Sequence, residues 1–197
     1  MTENSHTEIA ESLYLALADD PFYIQLEQKI ANAGLNSRAG MLSYYDYSIN
    51  KAINSGLLIK PESGETWGAS LWSIPNKEGT QKTDSALFEQ MVGPDAYNHY
   101  HLVCDSMSTL SQPYISTEDW YLSIVGITPE MQSKRLGKQL INPVLADADR
   151  LGVTTYLETF VPRNISFYQR YGFESVANIK EPVMQSSYQV LVRRPVD

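Results

Sequence analysis

The hydrophobic pattern is clearest in the C-terminal part of the chain. Residues 120–127 and 153–160 are apolar runs of strand length. Between them, residues 134–151 place apolar side chains at helical spacing, and Gly152 follows as a stop signal. Pro143 removes one backbone donor inside this helix and therefore predicts a local bend. The apolar stripe consists of Leu140, Ile141, Val144, Leu145, Ala148 and Leu151.

Three further elements follow the second apolar run. We expect a short helix over residues 163–170, then strands over residues 173–178 and 187–194. The resulting β-α-β-α-β order predicts parallel strands that are joined by right-handed crossover connections.

The N-terminal half has a mainly helical pattern with one strand pair. Asp20-Pro21 ends the first helix, because a residue before proline is pushed out of the helical region. Tyr44, Tyr45 and Tyr47 on the third helix form either a packed face or one wall of a ligand pocket. The predicted helices cover residues 9–17, 22–33, 37–54, 85–91 and 95–110, and the predicted strands cover residues 57–60 and 65–74.

Composition and charge narrow the function classes. The chain has 197 residues and a net charge of −8, and it lacks the dense cationic stripe that nucleic-acid binding needs. Cys104 is the single cysteine, which excludes an intrachain disulfide and a cysteine-based zinc site. We interpret it as a small buried apolar residue and expect no metal. No signal peptide pattern or apolar run of ~18 residues is present, so we expect a cytoplasmic protein.

Residues 128–138 connect the first apolar run to the amphipathic helix. The first backbone amides of a helix have no intrahelical partner, and together with the helix dipole they form an anion site. Lys134, Arg135 and Lys138 add positive charge in an otherwise acidic chain, and Gly137 allows a close approach. The segment is therefore either a cradle for a pyrophosphate or a solvated basic helix start.

Two motifs in this half have a recognisable form. The first is Gln132-x-x-Arg135-x-Gly137, and the second is Asn-Ile-Ser-Phe-Tyr-Gln-Arg-Tyr-Gly-Phe over residues 164–173. They resemble the coenzyme A-binding loop and the downstream asparagine–tyrosine element of the GNAT acetyltransferase superfamily. Arg135 stands where that loop has its first glycine.

Smaller matches point to one branch of the superfamily. The triplets at residues 120–122, 157–159 and 162–164 are similar to those of puromycin N-acetyltransferase-like members, and so is a proline inside the long helix. The resemblance is specific over residues 119–195 and only architectural before them.

The resemblance implies an α/β fold of the GNAT type. Its centre is a mixed, mostly antiparallel sheet with a splayed parallel strand pair, flanked by helices. We expect one domain over residues 1–197, divided into a helical acceptor-side half, 1–118, and an acetyl-CoA-binding core, 119–197. Acetyl-CoA is the implied co-substrate.

The resemblance also assigns cofactor contacts. Backbone amides of Ile124 and Val125 would hold the acetyl carbonyl, and the pantetheine arm would pair with the same strand near Ile127. The cofactor-binding set is Ile124, Val125, Ile127, Gln132, Ser133, Lys134, Arg135, Leu136, Gly137, Lys138, Asn164 and Tyr168. Asn164 would bind the cofactor arm, act as a helix N-cap, or do both.

Two residues are the catalytic candidates. Tyr168 matches the family tyrosine that donates a proton to the leaving thiolate; otherwise it packs beside its aromatic neighbours. Glu158 is the only acid in its apolar strand, and a buried carboxylate is costly unless it is paired. It would bind or deprotonate the amine, or form a structural ion pair with Arg163 or Arg170. Asp119 and His101 are further candidates for the base.

The predicted function is transfer of an acetyl group to a primary amine of a small molecule. The alternatives are a protein or peptide N-acetyltransferase and a non-catalytic coenzyme A-binding module. A closed, aromatic-lined cavity would suit small amines, whereas an open groove would suit peptides. The protein would be a monomer or a homodimer, without nucleic-acid or membrane partners.

Overall fold

The computed structural model describes residues 3–62, 64–75 and 85–196. Helices predominate in the first half of the chain and strands in the second. The helices are α1 (Glu3–Ala16), α2 (Pro21–Asn32), α3 (Ser37–Ser55), α4 (Ser85–Val92), α5 (Pro94–Ser111), α6 (Gly137–Leu151) and α7 (Ile165–Gln169). The strands are β1 (Gly56–Ile59), β2 (Gly68–Ser73), β3 (Trp120–Ile127), β4 (Thr155–Thr159), β5 (Glu174–Glu181) and β6 (Ser186–Arg193).

The strands form one mixed sheet in the order β1-β2-β3-β4-β6-β5. Only β3 and β4 pair in parallel, and every other neighbouring pair is antiparallel. This confirms the predicted GNAT-type α/β fold. The strand β5 runs in the same direction as β4, as the β-α-β-α-β order predicts, but β6 lies between the two strands.

The parallel pair separates early. It comprises only three residue pairs and ends at Leu122 and Leu157, although β3 continues to Ile127. On its other edge, β3 is bulged: Leu71 faces Ile124 and the next residue of β2 faces Leu122, so Ser123 is unpaired. A bulge bends a strand and increases its twist. The two strands therefore leave an opening between their C-terminal halves.

Short polar side chains fix the helix starts around this opening. Asp20 accepts a hydrogen bond from Phe22 N at 2.9 Å, and Pro21 occupies the first position of α2. Asn36 caps α3 by accepting from Ala39 N at 3.0 Å. At the other end of the sheet, Gly152 ends α6 in the left-handed conformation, as the sequence indicates.

The predicted start of the amphipathic helix was wrong. The helix α6 begins at Gly137, not at residue 134, because Ser133 and Arg135 adopt left-handed backbone conformations, with φ of 62° and 61°. An L-residue in that region cannot continue a right-handed helix. The helix runs on through Pro143.

The apolar stripe of α6 packs against the sheet. All of its predicted members are buried except Leu151, which is 53 % exposed at the end of the helix. Ile141, Val144 and Leu145 join residues of β3, β4, β6 and α7 in one hydrophobic cluster, while the helices α1 to α5 contribute to two further clusters. Within residues 3–62, 64–75 and 85–196, no helix is both long and apolar enough to cross a membrane.

A partly buried ion pair connects α6 to the last strand. Arg193 donates to both carboxylate oxygens of Asp149 at 2.7 Å, and its Nε donates to the carbonyl of Tyr171 at 2.9 Å. The Val196 amide also donates to Asp149. The hydrogen bonds from Arg193 hold the pKa of Asp149 below its usual range.

We expect Asp149→Asn to destabilise the protein by about 2 kcal/mol at neutral pH, because it leaves the Arg193 guanidinium without its charge partner. A depressed pKa contributes stability above the unfolded-state value of about 3.9, and this contribution is lost as the pH falls through the folded-state value. Urea unfolding of both proteins at neutral pH and near pH 3 measures this. A difference that does not shrink at low pH contradicts the assignment.

Candidate active site

A cavity of about 1190 Å³ opens where β3 and β4 separate. We call it the large cavity. Its walls are the end of β3, the loop and first turn of α6, and α7 with the residues before it. Its volume is slightly above the usual range of roughly 300–1,000 Å³ for ligand pockets. The predicted cofactor contacts that line it are Val125, Ile127, Gln132, Ser133, Arg135, Leu136, Gly137, Lys138, Asn164 and Tyr168.

Two predicted contacts lie elsewhere. Ile124 is buried and lines a second cavity on the α1–α5 face of the sheet. Lys134 lines neither cavity, and its Nζ lies 3.3 Å from the sulfur of Met131. Because Lys134 stands between two left-handed residues, Ser133 and Arg135, it does not share the helical arrangement on which its prediction depended.

The loop before α6 presents unused backbone donors. The first amide of this region with a backbone partner is that of Gln139, which donates to the carbonyl of Leu136 at 3.0 Å. In the part of the chain that the structure describes, no hydrogen bond from the amides of residues 133–138 to another protein group is found. Residues 133 and 135–138 line the large cavity, so their unpaired amides lie at its wall. Unpaired donors at the positive end of a helix dipole form an anion site.

The backbone conformation of Arg135 suits the glycine that the coenzyme A-binding loop of GNAT acetyltransferases has at this position. Its φ of 61° lies in the left-handed region, which glycine adopts at little cost and an L-residue at roughly 1–2 kcal/mol. The chain here combines that conformation with a cationic side chain.

Gly137 lines the large cavity, and it also packs closely against Phe167 of α7 and against Tyr171. A Cβ at this position would lie 2.8 Å from Tyr171 Oη and 2.9 Å from Phe167 Cε2. Glycine is therefore required for close packing of α6 against α7, which brings the two walls of the large cavity together.

The side chains around the loop set its electrostatics. Four cations line the large cavity, namely Arg135, Lys138, Arg163 and Arg170, in a chain of net charge −8. Arg163 forms an exposed ion pair with Asp19, and Arg170 lies over the ring of Phe167. The sequence did not single out these two arginines as ligand-binding residues, although Arg163 precedes the recognised asparagine–tyrosine motif and Arg170 lies within it.

Some backbone groups at the C-terminal end of β3 already have hydrogen-bond partners within the protein. Gln132 Nε2 donates to the carbonyl of Ile127 at 2.9 Å, so this side chain folds back onto the strand. The amide of Thr128 donates to Trp67 O. Val125 and Gly126 also line the large cavity, beyond the last residue pair between β3 and β4.

Tyr168 lies on α7 between the core and the large cavity. Its ring packs edge-on against Phe167 and Phe173, with centroids 5.2 and 6.2 Å away. Burial raises the pKa of Tyr168, so the phenol stays protonated throughout the neutral range. Both predicted interpretations, packing and a proton donor facing the cavity, are compatible with this position.

Asn164 precedes α7. Its side chain makes no capping hydrogen bond to that helix, so the expected N-cap role is wrong. Since Asn164 lines the large cavity, its amide group is placed for a ligand instead.

The second cavity has a volume of about 410 Å³, and we call it the aromatic cavity. It lies between the sheet and α2, α3 and α5, and contains three acids, Asp20, Asp105 and Glu158, against one lysine, Lys51. Of the three tyrosines predicted on α3, Tyr45 is in the core and the other two line this cavity. Its aromatic side chains are Phe22, Tyr23, Tyr44, Tyr47, Tyr100, Tyr121, Tyr156 and Phe160.

Glu158 forms part of the aromatic cavity, and neutral groups hold it. Ser111 Oγ donates to one carboxylate oxygen, and Tyr121 Oη donates to the other at 3.2 Å. Burial raises the pKa of Glu158, and these two hydrogen bonds oppose the shift. The proposed ion pair is wrong, because Arg163 and Arg170 have the other partners described above.

The positions of Asp119, His101 and Cys104 complete the description of the residues that the sequence analysis named. Asp119 accepts from the amide of Ser116 at 2.8 Å and lines neither cavity. His101 and Cys104 line the aromatic cavity. Burial raises the pKa of Cys104 to about 11, so its thiol is protonated at neutral pH, as expected of a residue that is not a nucleophile. Among the described residues, no cluster suited to a metal ion is found.

The comparisons with known proteins agree on a family. The acetyltransferase (GNAT) family model matches residues 94–173. An uncharacterized N-acetyltransferase of Schizosaccharomyces pombe is 25 % identical over 185 residues, which cover 85 % of this chain and 70 % of the relative.

Two solved structures share the fold over nearly their whole length. The first, from Corynebacterium glutamicum, is named histone acetyltransferase HPA2 and related acetyltransferase. It has a TM-score of 0.69 and 19 % identity, covering 100 % of this chain and 94 % of that one. The second, arylalkylamine N-acetyltransferase 2 of Aedes aegypti, has a TM-score of 0.63 and 12 % identity, covering 98 % and 96 %.

A pair of variants separates the backbone and charge contributions of Arg135. We expect Arg135→Gly to be more stable than Arg135→Ala by about 1 kcal/mol, because glycine tolerates the positive φ. Both variants should bind coenzyme A several-fold more weakly, since both lose the cation. Thermal unfolding and calorimetric titration measure these effects, with Lys134→Ala as the matched control. An equal loss of affinity in the control would contradict the location of the anion site.

The family model, the fission-yeast relative and the solved structures point in the same direction. The chain is similar to the acetyltransferase (GNAT) family over residues 94–173, and it shares the GNAT-type α/β fold.

Proposed function

We propose that this enzyme transfers the acetyl group of acetyl-CoA directly to the primary amine of a small molecule with an apolar or aromatic body. One observation carries the proposal: the large cavity, with its unpaired amides, adjoins a smaller aromatic cavity that contains acidic groups. Each cavity suits one of the two substrates.

The diphosphate of acetyl-CoA would bind at the start of α6. The amides of residues 133–138 would donate to its oxygens, while Arg135 and Lys138 would neutralise its charge. Asn164 would hold the pantetheine arm, which would lie along the free edge of β3 past Val125 and Ile127. In this arrangement the side chain of Lys134 would not contact the cofactor.

The leaving group needs a proton, and Tyr168 is our candidate donor. It lines the large cavity and holds its proton at neutral pH. A phenol that donates to the developing thiolate stabilises negative charge as the carbon–sulfur bond breaks.

The acceptor would bind in the aromatic cavity. An ammonium group is attracted to the faces of aromatic rings and to a carboxylate. Glu158 supplies a carboxylate that accepts hydrogen bonds from two neutral hydroxyls, and among residues 3–62, 64–75 and 85–196 no ion pair to it is found. The volume of about 410 Å³ admits a small molecule and leaves little room for a folded polypeptide.

The reaction removes two protons from the amine nitrogen. The ammonium first loses one proton to a base, and the free amine attacks the thioester carbonyl carbon. The carbon–sulfur bond then breaks, and the second proton ends on the sulfur with the help of Tyr168. The products are the acetamide and free coenzyme A.

Other sequence predictions remain parts of this proposal. The triplets at residues 120–122, 157–159 and 162–164 support a place in the puromycin N-acetyltransferase-like branch. We propose one domain over residues 1–197, a cytoplasmic location in keeping with the single reduced cysteine, and a monomer or homodimer as the working form.

The first test is turnover with a panel of amines. We expect small monoamines with an aromatic ring to have the highest kcat/KM. The aromatic side chains of the cavity can pack against a flat apolar body, and its acidic groups can attract one cation. Linear polyamines and a peptide with a free N-terminus serve as comparisons. Release of the coenzyme A thiol measures turnover. Comparable or faster acetylation of the peptide would contradict the small-molecule proposal.

The second test concerns the leaving group. We expect Tyr168→Phe to lower kcat by roughly 10²–10⁴-fold, the usual loss when general acid help is removed. Coenzyme A affinity should stay close to that of the unaltered protein, because the ring still packs in the core. Steady-state kinetics and calorimetry separate the two effects. An unchanged kcat would remove Tyr168 from the mechanism.

A further inference from the structure

The two cavities meet at one residue. Asp20 is the one described residue that lines both the large cavity and the aromatic cavity. Asp20 is therefore within reach both of an amine in the aromatic cavity and of a thioester in the large cavity. The sequence marked Asp20 only as the end of the first helix.

The packing of α1 on the sheet positions Asp20. At Gly126 of β3 a Cβ would lie 2.9 Å from Leu13 Cδ2 and 3.0 Å from Ala16 Cβ, so α1 touches the strand there. The chain then leaves α1 through a turn in which the Asp20 amide donates to the Leu17 carbonyl at 3.0 Å. This turn follows the α1 contact with β3, and it leaves Asp20 in the walls of both cavities.

The two oxygens of Asp20 have different surroundings. Oδ1 accepts from the Phe22 amide at 2.9 Å and so holds the start of α2. For Oδ2, no hydrogen-bond partner is found among residues 3–62, 64–75 and 85–196. One oxygen thus fixes the side chain, and the other is available for a ligand.

We propose that Asp20 is the catalytic base that removes the first proton from the acceptor's ammonium group, an inference that rests on the proposed acetyl transfer. The proton passes from the ammonium nitrogen to Oδ2, leaving a neutral amine and a neutral carboxyl group. The nitrogen lone pair then attacks the thioester carbon, and Asp20 returns its proton to solvent after product release.

Glu158 is less suited to this step. Both of its oxygens already accept hydrogen bonds from the hydroxyls of Ser111 and Tyr121, and it lines only the aromatic cavity. It can attract the ammonium group by charge, whereas Asp20 lies at the boundary where the nitrogen meets the thioester.

The charges around Asp20 are compatible with a base. Burial raises its pKa, and the Phe22 amide and the Arg163 guanidinium oppose this shift. The phenols of Tyr23, Tyr44, Tyr45 and Tyr168 lie within its electrostatic reach and stay neutral near pH 7. A raised pKa brings a carboxylate closer to the working pH and makes it a better proton acceptor.

The test is Asp20→Asn, which keeps the helix cap because asparagine caps as well as aspartate. We expect kcat to fall roughly 10²–10⁴-fold at pH 7, with unchanged thermal stability and coenzyme A affinity. Without a base the variant depends on amine that is already neutral, so its deficit should shrink about tenfold per pH unit as the pH rises. Asp20→Glu, which retains a carboxylate, should recover part of the rate and the original pH profile.

Two comparisons complete the design. Glu158→Gln should mainly raise KM for the amine, and Asp147→Asn, in an exposed ion pair on α6, should leave the kinetics unaltered. An unchanged kcat in Asp20→Asn, or a loss that is the same at every pH, would overturn the inference while leaving the proposed function intact. Failure of the unaltered enzyme to acetylate any amine would instead overturn the proposed function.

Discussion

The early end of the pairing between β3 and β4 determines where every functional group lies. Three residue pairs hold the strands together, and beyond Leu122 and Leu157 they separate. The bulge at Ser123 strengthens this divergence by bending β3. Both cavities open at this separation, the large one past the end of β3 and the aromatic one on the α1–α5 face of the sheet. A fully paired sheet would bury the free edge on which the proposed thioester site depends.

The electrostatics on the two sides of this opening are opposite. Arginine and lysine side chains and unpaired amides surround the large cavity, although the chain as a whole has a net charge of −8. Acidic groups outnumber cations in the aromatic cavity. A polyanionic cofactor and a cationic acceptor would therefore each be attracted to their own side, which favours correct assembly of both substrates before transfer.

The sequence predicted the parts of the site that depend on local motifs. The strand β3 and the loop before α6 are adjacent in sequence, and Tyr168 belongs to a motif of characteristic spacing, so the fold and the residues around the large cavity were predictable. The left-handed backbone at Arg135 was not predictable, because arginine rarely adopts this conformation, whereas a glycine at this position would have indicated it. Glycine at 137 was expected for a different reason from the packing of Phe167 and Tyr171 that the structure shows.

The long-range contacts could not be read from the sequence. Ser111 and Glu158 lie 47 residues apart, and nothing local indicates that the end of α5 donates to the carboxylate of β4. Asp20 had a sufficient local explanation in the sequence as the end of the first helix, and its place between the two cavities depends on how α1 packs over Gly126. Sequence patterns identify elements, whereas the partners of a buried carboxylate follow from how those elements pack.

The central claim is that the unpaired amides before α6 bind the diphosphate of coenzyme A. An amide-resolved nuclear magnetic resonance titration of the labelled protein with coenzyme A tests it most directly. The account predicts that the largest shifts fall on the amides of residues 133–138, and that hydrogen exchange there slows when the cofactor is bound. Saturable binding that leaves those amides unchanged and shifts another part of the chain would contradict it.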